Sequence, residues 1–435
     1  MKMSPSLRLA SLFSTLTLAA CAGSSSGGTG GQGGMGTGGS TGSGGVTGTG
    51  GGATGGSTGT GGTGTGGAAT GGATGTGGSG TGGAATGGAT GTGGAAGAGG
   101  SATGGANGTG GSGTGGSSGF TPYACPTGTS SPTSFPAGSS ATRIAGAPPS
   151  DSFNGNGNSF ENIEGPVWIT DALYVSEFGS MSTPPPSRIL KIDASDNVTI
   201  AFPSVSDTGS NGLAVDNNGN IVSANHGAGG IVTFTLPAGT ETKLVTMFGG
   251  KRFNSPNDLT VATNGNIYFT DPCCFQGMMS QPNQGVYLLP AGASAAMELV
   301  SNLNGPNGIT LSLDQKTLYV DDNGDGVLKY PINTDGTIGT GTTFNTTDLA
   351  HENTDGMAID CAGDVYVVRV NEHDIIVVNP SGTTIGHIMG IPGGGQLTNV
   401  AFGGTDHKTL YITAQGTGTA RGVFKLPLTI PGMPY

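Results

Sequence analysis

Six short polar turns recur through the second half of this 435-residue chain at nearly even spacing. They carry Glu164, Asn211, Asn257, Asn307, Asp355 and Asn399, which follow one another at 47, 46, 50, 48 and 44 residues. A period of forty-odd residues is the length of one four-stranded propeller blade, and radial stacking of blades brings equivalent positions together around a central channel. The repeat therefore predicts a ring of six oxygen-bearing side chains. Such a ring suits a hard metal ion.

The pattern behind each turn repeats as well. A short apolar strand follows, as in Gly212-Leu213-Ala214-Val215, Asp258-Leu259-Thr260-Val261 and Gly356-Met357-Ala358-Ile359. Eight residues past the ring position comes a turn, at Gly219, Gly265, Gln315, Gly363 and His407. A second strand rich in Val, Ile and aromatic residues spans 267–270, 317–320, 365–368 and 409–412, and a third recurs at 187–192, 285–289, 326–330 and 422–426. Alternation bracketed by turn residues marks these segments as strands, and no stretch of ten residues carries a helical period. The fold class expected is all-β, a six-bladed propeller of four-stranded antiparallel blades. The last repeat stops just after its third strand, so residues 141–147 are expected to supply the fourth and close the ring. The lone Trp168 is expected to pack between blades.

In that topology the second strand of each blade returns to the face that carries the polar turns. Residues about fourteen past the ring positions should rim the same mouth: Glu177, Asn225 with His226, Asp271, Asp321 with Asp322, Arg369 with Asn371, and Gln415. Ring and rim together would make a pocket.

Composition divides the chain into three parts. Residues 22–119 hold 50 glycines in 98 positions, with Thr, Ser and Ala supplying nearly all the rest and no charged or aromatic side chain. With so little apolar surface to offset ordering entropy, this linker is expected to stay disordered. It would span roughly 55 Å root-mean-square as a flexible tether. Residues 1–21 have a positive start at Lys2 and Arg8, an apolar run, and the ending Leu18-Ala19-Ala20-Cys21. This reads as an export signal, too short to span a bilayer. Its ending resembles a bacterial lipobox, which implies cleavage before Cys21 and lipidation of its thiol; ordinary cleavage near Ala20 is the alternative. The expected address is an exported, membrane-anchored lipoprotein facing the periplasm or cell surface, with the outer membrane favoured by Ala22. The propeller would occupy 120–435.

All 26 acidic residues and 12 of the 14 basic ones lie beyond residue 119, giving that part a net charge of −14. This argues against nucleic acid and against anionic lipid surfaces. A small-molecule ligand, a bilayer contact through the N-terminal lipid alone, and a monomer are expected. Besides Cys21 there are Cys125, Cys273, Cys274 and Cys361, enough for two bridges in an oxidising compartment. Because neighbours seldom bridge each other, one of Cys273 and Cys274 is expected to reach Cys125 and the other Cys361, with a soft-metal site as the alternative.

Glu164, Asn307 and Asp355 offer two carboxylates and an amide oxygen, and Asn257 a further amide, a donor set for Ca²⁺ or Mg²⁺. Asn-Gly and Asp-Gly are also plain turn formers, the simpler reading for Asn211 and Asn399. Glu164 is not a turn residue, and in a channel its desolvation needs a cation or hydrogen bonds. The segments Glu164-Gly165-Pro166-Val167-Trp168, Ser255-Pro256-Asn257-Asp258-Leu259, Ile267-Tyr268-Phe269-Thr270-Asp271-Pro272, Pro306-Asn307-Gly308-Ile309 and Thr354-Asp355-Gly356-Met357-Ala358 resemble the motif series of the regucalcin and gluconolactonase family over roughly residues 140 to 428. The resemblance implies one divalent ion in the channel, Ca²⁺ first and Mg²⁺, Mn²⁺ or Zn²⁺ as alternatives, held by Glu164, Asn307 and Asp355. It places substrate contact on Asn257 and matches His226 to a pocket-lining His-Gly; Asn211 and Asp271 complete the expected substrate-binding set. Animal members carry an Arg where this chain has Ser255, and Arg252 is out of register.

The mechanism so implied is lactone hydrolysis, with Asp355 as general base and Asn257 orienting substrate or water. No Gly-x-Ser-x-Gly elbow occurs in the folded part. The competing reading is a non-catalytic propeller that presents its top face to a sugar, peptide or protein partner. Phosphoester or organophosphate hydrolysis at the same metal is a third.

Overall fold

The computed structural model describes residues 120–433 apart from 133–139, 150–158, 180–186, 204–208, 238, 274–278 and 324, together with short strands between residues 36 and 103. Cys21 and Cys274 lie outside the described residues. The chain forms two units, 1–116 and 117–435. In the first, short strands pair in parallel sixteen residues apart, as Ala73–Thr76 with Ala89–Thr92 and Ala69–Thr70 with Ala85–Thr86. The offset matches a repeat in the sequence, where residues 68–78 and 84–94 are identical. These strands contain only Gly, Ala, Ser and Thr, so composition supplies no apolar core there.

The second unit is a six-bladed propeller of four-stranded antiparallel sheets. Blade 1 comprises Asn162–Ile169, Ala172–Phe178, Ser187–Asp193 and Val198–Phe202. Blade 2 runs from Ser210–Val215 to Glu241–Val245, blade 3 from Leu259–Val261 to Met297–Ser301, blade 4 from Pro306–Leu311 to Thr342–Thr343, and blade 5 from Thr354–Ile359 to Thr384–Met389. Blade 6 contains Gln396–Gly403, Thr409–Gln415 and Gly422–Pro427. Its fourth strand is Thr142–Arg143, antiparallel to Gly422–Pro427, and Ile144 N–H extends the ladder to Val423 O at 3.0 Å. The ring closes as expected, with the start of the domain pinned to its end. Among the described residues the one helical element is the 3-10 turn Gly418–Ala420.

Side-chain alternation along the strands explains why the blades stack. In blade 1, Trp168, Leu173 and Val175 enter the cluster shared with Tyr411 and Val423 of blade 6, while Val167, Ile169, Ala172 and Tyr174 enter the one shared with Leu213, Val232 and Phe234 of blade 2. Every blade is buried on both faces. The remaining apolar clusters fill the other blade junctions in the same way. Trp168 is 2% exposed and stacks on Tyr411 at a centroid distance of 5.7 Å, so it does pack between blades.

The turns between first and second strands sit at the face opposite the polar ring. Gly219, Gly265, Gln315, Gly363 and His407, the positions singled out by spacing, all have positive φ there. Asp216 and Asp360 fold two of these turns by accepting backbone N–H groups two and four residues on.

That face is crossed by the segment leading into the propeller. Phe120 packs over Gly219, Tyr123 stacks on His407 at 3.8 Å, Ser131 Oγ donates to Asp364 at 2.6 Å, and Cys125 is disulfide-bonded to Cys361. The bridge corrects the expected pairing. Cys273 follows the second strand of blade 3 on the polar-turn face, the opposite side from Cys361 in a first-to-second-strand turn. Cys273 is itself disulfide-bonded, with a partner outside the described residues.

Candidate functional site in the channel

A register shift marks the first strand at the ring position in five blades, between Glu164 and Val167, Ser210 and Leu213, Pro306 and Ile309, Thr354 and Met357, and Leu397 and Asn399. Such bulges re-aim a side chain at the rim of a sheet. Glycine after the ring residue then lets neighbouring inner strands touch. A Cβ on Gly165, whose φ is +53°, would lie 2.2 Å from Asn211 O, and one on Gly356 would lie 1.9 Å from Asn399 Oδ1. Hydroxyls from second strands link these strands: Ser176 Oγ donates to Glu164 O at 3.1 Å and to Asn211 O, and Thr270 Oγ1 donates to Asn307 O at 2.7 Å.

Three buried acidic side chains of this ring influence one another electrostatically. Glu164 is buried, accepts Gly165 N–H at 3.0 Å and is hydrogen-bonded by Asn399 and Thr398; burial, reinforced by Asp258, pushes its pKa up to about 8. Asp258 accepts Leu259 N–H at 2.9 Å, also meets Asn399, and is raised by burial to about 7. Asp355 is held well above the usual carboxylate range by burial and then by Glu164, Asp321 and Asp258, while a hydrogen bond from Asn307 opposes the shift. Glu164, Asn307 and Asp355 thus share one neighbourhood although 191 residues separate the first from the last. Among the described residues, no Lys or Arg is a main influence on these three carboxyl groups.

Buried like charges with no cationic neighbour either keep their protons or require a cation. The donor set is all oxygen, as Ca²⁺ and Mg²⁺ prefer, and so it fits a hard divalent ion. Among the described residues no three His, Cys, Asp or Glu side chains form a metal-ligand cluster, so the fit depends on the amide oxygen of Asn307 beside Glu164 and Asp355.

The other expected residues divide. Asn257 is 8% exposed on the same ring, its main chain fixed by Gly212 N–H to Asn257 O at 2.8 Å and Asn257 N–H to Thr270 O at 3.0 Å. Asn211 Nδ2 lies 3.2 Å from His226 Nε2, so His226 stands behind Asn211. Burial first, then Arg252, lower its pKa to about 3, which keeps the imidazole neutral. Asp271 is committed to the backbone of its own blade. It is fully buried, and its two oxygens accept Asn254 N–H at 2.9 Å and Ser255 N–H at 2.8 Å. Glu177 and Asp322 serve their own blades alike, accepting Glu161 N–H at 2.7 Å and Asn304 N–H at 2.5 Å. These positions brace the loop entering the first strand, where spacing had suggested a pocket wall.

The rim arginines are engaged. Arg252 donates to the carbonyls of His226, Gly227, Phe253 and Asn254, and Arg369 forms a two-point pair with Asp374 at 2.8 and 2.7 Å. Sequence reasoning missed Asp258 as a third carboxyl group of the ring and Thr398 as a hydrogen-bond partner of Glu164, and read Asn399 as a turn former. A signal for Asp258 was present: it occupies the place after the ring residue that glycine fills in four other blades.

Residues 163–416 match the SMP-30/gluconolactonase/LRE-like family. The chain belongs to this family. A member from Zymomonas mobilis, a gluconolactonase, is 28% identical over 279 residues, covering 58% of this chain and 75% of that one. The lactonase drp35 of Staphylococcus aureus is 32% identical over 148 residues, but the match covers only 42% of its length. Among solved structures, a gluconolactonase from Xanthomonas campestris superposes with a TM-score of 0.53 at 26% identity, covering 62% of this chain and 87% of that one. Regucalcin from Agrobacterium tumefaciens, a calcium-binding protein, shares the fold with a TM-score of 0.51 at 19% identity, covering 66% and 96%.

Proposed function

We propose that this family member is a metal-dependent lactonase whose reaction centre is the acidic ring in the propeller channel. The observation that carries the reading is the mutual repulsion of three buried carboxyl groups, Glu164, Asp258 and Asp355, with no Lys or Arg as a main balancing influence among the described residues. The names of the Zymomonas and Xanthomonas relatives support the choice of a lactone. Glu164, Asn307 and Asp355 would hold the ion. When bound, a divalent cation supplies Lewis acidity to a lactone carbonyl and lowers the pKa of a nearby water.

The chain's own residues do the rest. Asp355 takes the proton of the attacking water as general base. Asn257, fixed through its main chain on both sides, orients the lactone. The water oxygen bonds to the acyl carbon, the acyl carbon–ring oxygen bond breaks, the ring oxygen takes the proton held on Asp355, and the product is the hydroxy acid. On the same reading the domain hangs from a lipid on Cys21, and loss of radiolabelled palmitate from the Cys21→Ala chain would test that anchor.

The locked Arg252 and the buried Ser255 leave no guanidinium where animal members have one, and this favours a second reading, a propeller that binds without turnover. Elemental analysis followed by a lactone panel, with and without EDTA, separates the two. Turnover that EDTA abolishes and Ca²⁺ restores supports the lactonase; full metal content with no turnover on any lactone leaves the binder.

A further inference from the structure

Cys273 is disulfide-bonded, and counting narrows its partner to two residues. The chain has five cysteines, of which Cys125 and Cys361 hold each other. Only Cys274 and Cys21 remain. Cys21 ends the export signal, where the reading above puts a lipid on its thiol, and a lipidated sulfur cannot also bridge. That leaves Cys274, the next residue in the chain.

Adjacency would make this bond unlike the other. Disulfides usually join Cα atoms about 4.4–6.8 Å apart, and the Cys125–Cys361 pair, at 5.3 Å, falls inside that range. Consecutive Cα atoms lie only about 3.8 Å apart. A bridge between neighbours is therefore strained, and strained bridges are the ones that reductants open first. It also closes no stretch of chain between its cysteines, so it lacks the unfolded-state restraint that a separation of 236 residues gives Cys125–Cys361. Exposure points the same way, with Cys361 buried and Cys273 half-buried.

The position of Cys273 connects it to the channel. Its N–H donates to Gln284 Oε1 at 2.8 Å, which joins the two ends of the segment 273–284. The far end of that segment grips Asn254, whose Oδ1 accepts the N–H groups of Ser280 and Gln281 at 2.8 Å each and whose Nδ2 donates to Asn283 O at 3.0 Å. Asn254 lies in the loop that leads into Asn257.

We propose that Cys273 and Cys274 form a disulfide between adjacent residues, that this bond is the chain's site of thiol–disulfide exchange with small dithiols, and that its state sets how firmly residues 280–283 hold Asn254. In the exchange a thiolate of the dithiol attacks one sulfur, the S–S bond breaks, and the other cysteine leaves as a thiolate that takes up a proton. The second thiol then attacks the mixed disulfide. Two cysteine thiols and the cyclic oxidised dithiol result, so the dithiol supplies both electrons and both protons.

The test uses the full chain purified without reductant. Free thiols are alkylated and the chain is cut with trypsin, whose fragment 253–316 holds Cys273, Cys274 and no other cysteine. That fragment is expected to be unlabelled, not cross-linked, and lighter by two hydrogens than its reduced form. A label on either cysteine, or a cross-link to the fragment carrying Cys21 or to a second chain, overturns the proposal. Graded dithiothreitol before alkylation reads reactivity. Cys273 and Cys274 should take label at a concentration about tenfold or more below the one that opens Cys125–Cys361; equal or reversed order overturns the proposal. Hydrogen exchange at the Ser280 and Gln281 N–H groups should rise about threefold or more in the Cys273→Ala/Cys274→Ala chain. The same rise is expected in the unaltered chain at a dithiothreitol concentration that leaves Cys125–Cys361 closed, which serves should the variant fail to fold. Unchanged exchange after reduction overturns the proposal.

Discussion

Asp271 holds Ser255 in place by accepting its backbone N–H at 2.8 Å, sixteen residues back along the chain. The contact sets the loop that delivers Asn257 to the channel, and the neighbouring Asn254 N–H occupies the other carboxyl oxygen. Blades 1 and 4 repeat the arrangement with Glu177 and Asp322. A carboxylate that spacing assigns to a pocket wall is thus a fastener of the wall.

Asp271→Ala would strand two buried backbone donors. The loss should be about 2–4 kcal/mol, read as a lower urea midpoint at unchanged slope. A variant of unaltered stability would show that this loop does not depend on the carboxylate.

Removing a charge from the acidic ring should act differently. Asp258→Asn relieves repulsion with Glu164 and Asp355, so the metal-free protein is expected to hold or gain stability. Its affinity for Ca²⁺ should fall roughly tenfold or more, since the substitution removes negative charge beside the expected ligands. Calorimetric Ca²⁺ titration together with thermal melts in EDTA checks both halves; tighter Ca²⁺ binding would contradict the assignment.

The same ring gives a pH dependence with a definite sign. The folded pKa values of Glu164 (about 8) and Asp258 (about 7) lie above those of an unfolded chain. The folded state therefore binds more protons between about pH 4 and 8, and its stability contribution, full below that window, is lost as pH rises through it. In EDTA the melting temperature should fall across this range. Saturating Ca²⁺ should flatten or reverse the fall, because the ion takes the place of the protons.

The Cys125–Cys361 bridge joins residues 236 positions apart and ties the entry segment across the face opposite the ring. Its removal by Cys361→Ala is expected to cost about 2–5 kcal/mol. Because the bridge is on the far side from Asn257 and Asp355, turnover per folded molecule should persist. Melts and activity of the purified variant provide the check.

Much of this architecture was legible in the chain. The forty-odd-residue period gave the blade count, the turns at Gly219, Gly265, Gln315, Gly363 and His407 fell where φ is positive, and the short sequence after residue 140 closed the ring. These features are local or periodic: strand alternation, turn chemistry and repeat length are written within a few dozen residues. What each polar side chain meets is not local. Asn399 of blade 6 bonds Glu164 of the neighbouring blade 1 and Asp258 of blade 3, Asp271 commits both oxygens to backbone donors, and Cys361 finds Cys125 beneath blade 5. Only closure of the wheel decides those partners, because a buried polar group goes to whichever donor or acceptor the neighbouring blade brings within 3 Å.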